Sequence, residues 1–184
     1  MTGLRRGWAA DLHHFWFHRL RPADWLGGGD ALDAAIRRRF ARRHAMLRTQ
    51  EADSFLESPR GALAAVLLFD QVPRNVFRDD RRAFATDALA VAITRAAVRR
   101  GWDKVLTFPE RQFLYMPLMH SEDICDQLLS LRLFRRLPSR YGWNFARAHH
   151  RMIVRFGRFP HRNPVLGRRS SEAEERAVEA GNAW

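Results

Sequence analysis

The apolar positions of this chain recur mainly at helical spacing, and almost nothing in it has the two-residue alternation of a strand. Phe15-Trp16-Phe17 lies in a short segment, residues 12–20, that reads as an N-terminal helix, and three glycines at 27–29 end that region. Asp30 reads as the N-cap of a helix over residues 31–47, with Leu32, Ile36, Phe40 and Leu47 on its apolar face. Ser58-Pro59 is a strong start signal, because serine caps and proline tolerates the first helical position. Residues 61–69 are apolar on every side, which predicts a central, buried helix. Pro73 disfavours helical geometry at Val72 and predicts a turn.

Downstream, an alanine-rich helix is expected from about residue 81 to 100, ended by Gly101. Thr107-Phe108 before Pro109 predicts another start, and Pro117 is expected to interrupt that helix. Ser121, followed by Glu122 and Asp123, predicts a helix reaching Leu137. A long helix over residues 143–156 is closed by Gly157, and Ser171 with Glu174 has the form of a capping box for a last, acidic helix. The pattern predicts an all-α chain of about seven or eight helices packed as antiparallel pairs. No clean internal repeat is visible.

Composition narrows this further. At 184 residues the chain has the size of one domain, and no linker divides it, so a single all-helical domain over residues 1–184 is expected. A hydrophobic fraction of 46% excludes a largely disordered chain. Cys125 is the sole cysteine, which excludes an intrachain disulfide and any site built on several cysteine ligands. Between Ile124 and Asp126 it reads as a core residue rather than a nucleophile. The longest apolar run, residues 62–69, is far too short to span a bilayer, and the N-terminus has no apolar signal core. A soluble cytoplasmic protein is expected, of undetermined oligomeric state. The formal net charge of +12 is almost wholly arginine, Lys104 being the sole lysine. These arginines fall at helix ends (Arg99-Arg100, Arg135-Arg136) or on the helix carrying Arg37, Arg38, Arg39, Arg42 and Arg43. There they complement dipoles or face solvent, so nucleic-acid binding is not expected.

Three polar motifs stand apart. LFDQVPRN, residues 68–75, sets Asp70 at the C-terminal end of an apolar helix, where an exposed carboxylate opposes the dipole by ~0.3–1 kcal/mol. A cation is required, and Arg74 and Arg78 are nearest in sequence; a buried Asp–Arg clasp is one reading of the motif. LMHSEDICDQ, residues 118–127, places His120 before a helix start, with Asp123 and Gln127 one turn apart at the edge of the buried face. A metal reading would join His120 to Glu122 or Asp123 and a distant histidine. The paired histidines of a metalloprotease helix are missing, and no metal or cofactor is expected.

The third motif is RFGRFPHRN, residues 155–163, preceded by His149-His150. Its Arg155, Arg158, His161, Arg162 and Asn163 stand among Phe156, Phe159 and Pro160, a stiff loop suited to a carboxylate or phosphate. An internal network pairing Arg158 or Arg162 with Asp70 or Asp123 fits the same residues. The candidate ligand-binding residues are Asp70, Arg74, Asn75, His120, Asp123, Gln127, Arg155, Arg158, Arg162 and Asn163. His161 is the candidate for proton transfer, since histidine titrates near neutral pH. One shared site or network requires at least three of Asp70, His120, Asp123, Arg158 and His161 to converge within about 8–10 Å.

Taken together, Phe15-Trp16-Phe17, Asp70-Gln71, Pro73-Arg74-Asn75, His120-Ser121-Glu122-Asp123 and residues 155–163 with Leu166-Gly167-Arg168 resemble bacterial domain-of-unknown-function family 924. The likeness covers about residues 11–178. It implies a tetratricopeptide-like array of antiparallel helix pairs and brings no settled activity. Residues 48–55 lack a tryptophan common in the family, and the last helix is rich in Ala and Glu. Two functions follow: a polar pocket for a small anionic ligand, with or without catalysis, or an adaptor holding a peptide or protein segment in a concave groove.

Overall fold

A computed structural model describes residues 3–138 and 140–182, and every regular element among them is helical. The chain resolves into two compact units, Met1–Pro117 and Leu118–Trp184. No Gly- or Ser-rich linker marks the boundary, which falls inside a helix.

The first unit is built on a rod. Helix α1 (Gly3–His14) runs on as a π turn, Phe15–Arg19, and a short α2 (Asp24–Gly27) leads to α3 (Asp30–Leu47). Helix α4 (Pro59–Val66), a second π turn (Leu67–Gln71) and α5 (Val72–Val76) form one uninterrupted helical rod. Helices α1 and α6 (Asp87–Arg99) pack on its α4 half, and α3 packs on α5. Residues 62–69 have no solvent exposure, as their unbroken apolar character predicts. The rod starts as expected: Ser58 accepts the Gly61 N–H at 3.1 Å, with Pro59 in the first turn.

The expected turn at Pro73 does not occur. Pro73 has no N–H to offer the Phe69 carbonyl four residues back, and its ring would crowd that oxygen in a regular helix. The chain widens into the π turn instead, with the Val72 N–H reaching the Leu67 carbonyl. The Phe69 carbonyl accepts the Thr86 hydroxyl at 2.7 Å. The next two carbonyls, of Asp70 and Gln71, accept Arg74 Nη1 at 2.7 Å and Asn75 Nδ2 at 2.9 Å. Side chains thus replace what proline removed.

Other expectations shift for similar reasons. Asp30 does not cap α3; Gly29 does, at φ 143°, a conformation suited to glycine, and Asp30 joins Asp33 in the first turn. The helix expected over 81–100 breaks into a 3₁₀ turn, Arg81–Phe84, and α6, and the Thr86 hydroxyl at the break serves Phe69 instead of capping α6. Pro117 does not interrupt α7 (Phe108–His120). Thr94 donates to the Leu114 carbonyl at 3.0 Å in the turn before it, and Phe113, Leu114 and Tyr115 are buried there.

In the second unit α8 (Ile124–Phe134) packs on α9 (Arg140–Phe156). A 3₁₀ turn (Pro160–Arg162), α10 (Asn163–Leu166) and α11 (Glu172–Glu179) complete it. The cap of α8 is Asp123 and not Ser121: Asp123 Oδ1 accepts the Cys125 N–H at 2.7 Å and the Asp126 N–H at 3.2 Å. Ser121 is drawn off to Asp126, to which it donates at 2.8 Å, and α8 ends three residues short of Leu137. Cys125, expected in the core, is exposed on the first turn of α8. The capping box of Ser171 and Glu174 forms as read.

Candidate functional site

In the first unit the DQVPRN motif sits where the π turn meets α5. Asp70 is fully buried, with Arg74 Nη1 3.1 Å from its Oδ1. Arg74 also grips Asp87 with both terminal nitrogens, at 2.8 and 2.9 Å. Burial alone would make this guanidinium easier to deprotonate. The carboxylates of Asp70 and Asp87 outweigh that and hold its pKa above the ordinary value. Gln71 donates to Asp70 Oδ2. Arg78, the other cation near in sequence, goes to Asp33 at 2.9 Å through two nitrogens. Asp70, Arg74 and Asn75 are therefore engaged within the fold of this unit.

The second unit gathers the histidines. His120 at the end of α7, His149 on α9 and His161 in the 3₁₀ turn form a chain of rings through Phe159. Centroids are 6.0 Å apart for His120–His149, 5.4 Å for His149–Phe159 and 5.8 Å for Phe159–His161. The Arg162 guanidinium lies over the Phe159 ring at 4.5 Å and is buried. His149 is itself buried, with Nδ1 2.9 Å from the Phe145 carbonyl. Its pKa falls from 6.5 to about 3, first through burial and then through the positive charges of His120, Arg162 and His161, against the Phe145 hydrogen bond.

Two acids of this unit, Glu122 and Glu174, are matched to other arginines. Glu122 accepts the Phe159 N–H at 2.8 Å and receives Arg168 through two nitrogens, at 2.7 and 3.0 Å. Burial raises the Glu122 pKa, but Arg168 and the Phe159 N–H outweigh it and the net shift is downward. Arg158 grips Glu174 at 2.7 and 2.9 Å and donates to the Arg169 carbonyl at 2.9 Å. Glu174 is held down at about 2, chiefly by Arg158 and then by the Ser171 N–H. Asn163 is buried and donates to Ser170 at 3.0 Å. Gln127, also buried, ties the turn after α7 by donating to the Met119 and Ser121 carbonyls at 2.7 and 2.6 Å.

Within this unit, then, His120 and His161 lie on one ring chain, with Arg162 beside it. Asp123 caps α8, Arg158 is committed to Glu174, and Arg155 lies exposed over Phe156 at 4.7 Å. Five neighbours escaped the candidate set: Glu122, His149, Phe159, Arg168 and Glu174. Glu122 reads as a first-turn acid, and nothing local says that it reaches Phe159 and Arg168. Gly167, at φ 65°, is the one local sign that Arg168 turns back after α10. Among the described residues no group of three or more His, Cys, Asp or Glu is arranged to hold a metal ion, and no helix is long and apolar enough to cross a membrane.

Residues 12–182 match the family model described as bacterial protein of unknown function, DUF924. A solved structure of ATU0120, a protein of unknown function from Agrobacterium tumefaciens, superposes with a TM-score of 0.88. It is 37% identical, over 94% of this chain and 97% of that one. No curated protein matches the chain.

Proposed function

The chain belongs to the bacterial DUF924 family, and we propose that its second unit binds a small anion, a carboxylate or a phosphate, at the group formed by His120, His149, His161 and Arg162. The observation that carries this reading is the gathering of His149, His161 and Arg162 around Phe159 with His120 against His149, while the adjacent acids Glu122 and Glu174 are matched to Arg168 and Arg158. Each matched pair largely cancels its own charge, so Glu122 and Glu174 add little net negative charge beside the basic group. The His149 pKa is lowered first by burial and then by the charges of His120, Arg162 and His161. An anion seated there relieves the mutual repulsion, and a guanidinium with imidazole donors suits carboxylate or phosphate oxygens. His161 is the group to exchange a proton with such a ligand.

Thermal melts and calorimetric titration with inorganic phosphate and with succinate test this. Wild type should gain melting temperature at millimolar ligand, by mass action on the folded state. His161→Gln should melt as wild type without ligand and lose that gain. A large drop in the unliganded melting temperature of His161→Gln, with no ligand-induced gain in wild type, would make the group a structural network instead.

A further inference from the structure

The first unit contains a cavity of about 480 Å³, with Trp8, His13, Leu47, Phe55, Ser58 and Arg60 among its lining residues. Its walls are largely apolar, and His13 stands in them from the second half of α1. His13 Nε2 lies 2.6 Å from Oε1 of Glu110, which is 3% exposed on the first turn of α7. The other oxygen of Glu110 accepts the Thr107 N–H at 2.7 Å and the Thr107 hydroxyl at 2.8 Å. Arg60 Nε completes the set, 3.3 Å from Oε1.

Burial raises the Glu110 pKa, but Thr107, His13 and Arg60 outweigh it and hold it at about 2. A carboxylate ionised at every working pH fixes the proton of neutral His13 on Nε2. Nδ1 then carries the lone pair, and it makes no hydrogen bond among the described residues. If Nδ1 takes a proton, the imidazolium has a buried anion directly behind it. That is the logic by which a carboxylate makes a histidine an effective base. Two other titratable groups stand near this dyad: His18, whose ring is 5.9 Å from that of His13, and Glu57, which lines the same cavity.

We propose that this cavity is a binding site for a small apolar molecule carrying a weakly acidic O–H, and that His13 removes its proton with Glu110 as the positioning residue. The ligand O–H bond breaks and its electron pair stays on oxygen. The proton forms a new bond to Nδ1, leaving an oxyanion beside an imidazolium. Arg60, on the same wall, offers the oxyanion a second positive charge. Trp8 and Phe55 provide flat apolar surface for a ring.

4-Nitrophenol is a direct probe, since its colour reports its own ionisation. Wild type should bind it saturably and favour the bound phenolate about tenfold, a fall of about one unit in the apparent pKa of the probe. In His13→Gln the amide can still donate to Glu110, so the link between α1 and α7 survives but no basic nitrogen remains. That variant should melt as wild type and lose the shift. Glu110→Gln should keep binding with a smaller shift; should it fail to fold, the His13→Gln comparison decides alone. A folded wild type that binds no probe, or a shift of equal size in His13→Gln, overturns the proposal.

Discussion

The two units treat buried charge in opposite ways. In the first, Asp70 and Asp87 converge on the single guanidinium of Arg74, and the carboxylates hold the cation in place. In the second, Arg162, His149 and His161 surround Phe159 and His120 lies against His149, while Glu122 and Glu174 answer to arginines of their own. The first arrangement is acid-rich, two carboxylates about one guanidinium. The second is base-rich, the arrangement on which the proposed anion site depends. Both motifs combine carboxylates, arginines and amides in sequence, so it is the pairing that separates the roles.

The largest test of this contrast is Arg74→Ala. It removes the cation shared by buried Asp70 and by Asp87, and chemical denaturation should show a loss of about 3–5 kcal/mol. A loss below about 1 kcal/mol would mean that the first unit does not depend on its clasp. Glu122→Gln should cost less, about 1–3 kcal/mol, since Arg168 loses a charged partner while the Phe159 N–H keeps an acceptor.

Acid should act through the histidines of both units. His149 falls from 6.5 to about 3 and His44, buried and near Arg48, from 6.5 to about 4. Each binds fewer protons folded than unfolded between its two pKa values, so each contribution to stability is present above about 6.5 and shrinks as pH falls. Melting temperature should therefore decline as pH drops from 7 to 4, and His149→Phe should decline less steeply than wild type. An anion bound at the second unit would blunt the same decline, which ties this measurement to the proposed ligand. The smallest effect belongs to Asp123→Ala. Loss of the α8 cap should cost about 1 kcal/mol, and exposed Cys125 on the uncapped turn should react faster with a thiol reagent than in wild type.

Helical periodicity and caps were legible along the chain wherever the determinant was local. Ser58-Pro59, Gly101, Gly157 and the Ser171–Glu174 box needed only near neighbours to act. Pro73 reads as a turn along the chain because its rescue is distant: Thr86, 17 residues from Phe69, takes the carbonyl that Pro73 leaves. Cys125 was misplaced because an aliphatic neighbour suggests a buried face, while Ile124 itself is 42% exposed. Of the candidate site, the sequence exposed His120, His161 and Arg162 as unusual chemistry but not His149, whose neighbour His150 looks identical in one dimension.

What the sequence determined by itself, therefore, is the helical class, the central apolar rod and the three polar motifs, since these follow from spacing and residue type within a few turns. Only the tertiary structure decided which carboxylate answers which arginine. Glu122 meets Arg168 46 residues away, Arg158 meets Glu174, and His13 meets Glu110 97 residues away. Ion pairs carry no sequence period; they form where packing brings opposite charges together away from water, and packing is a property of the whole fold.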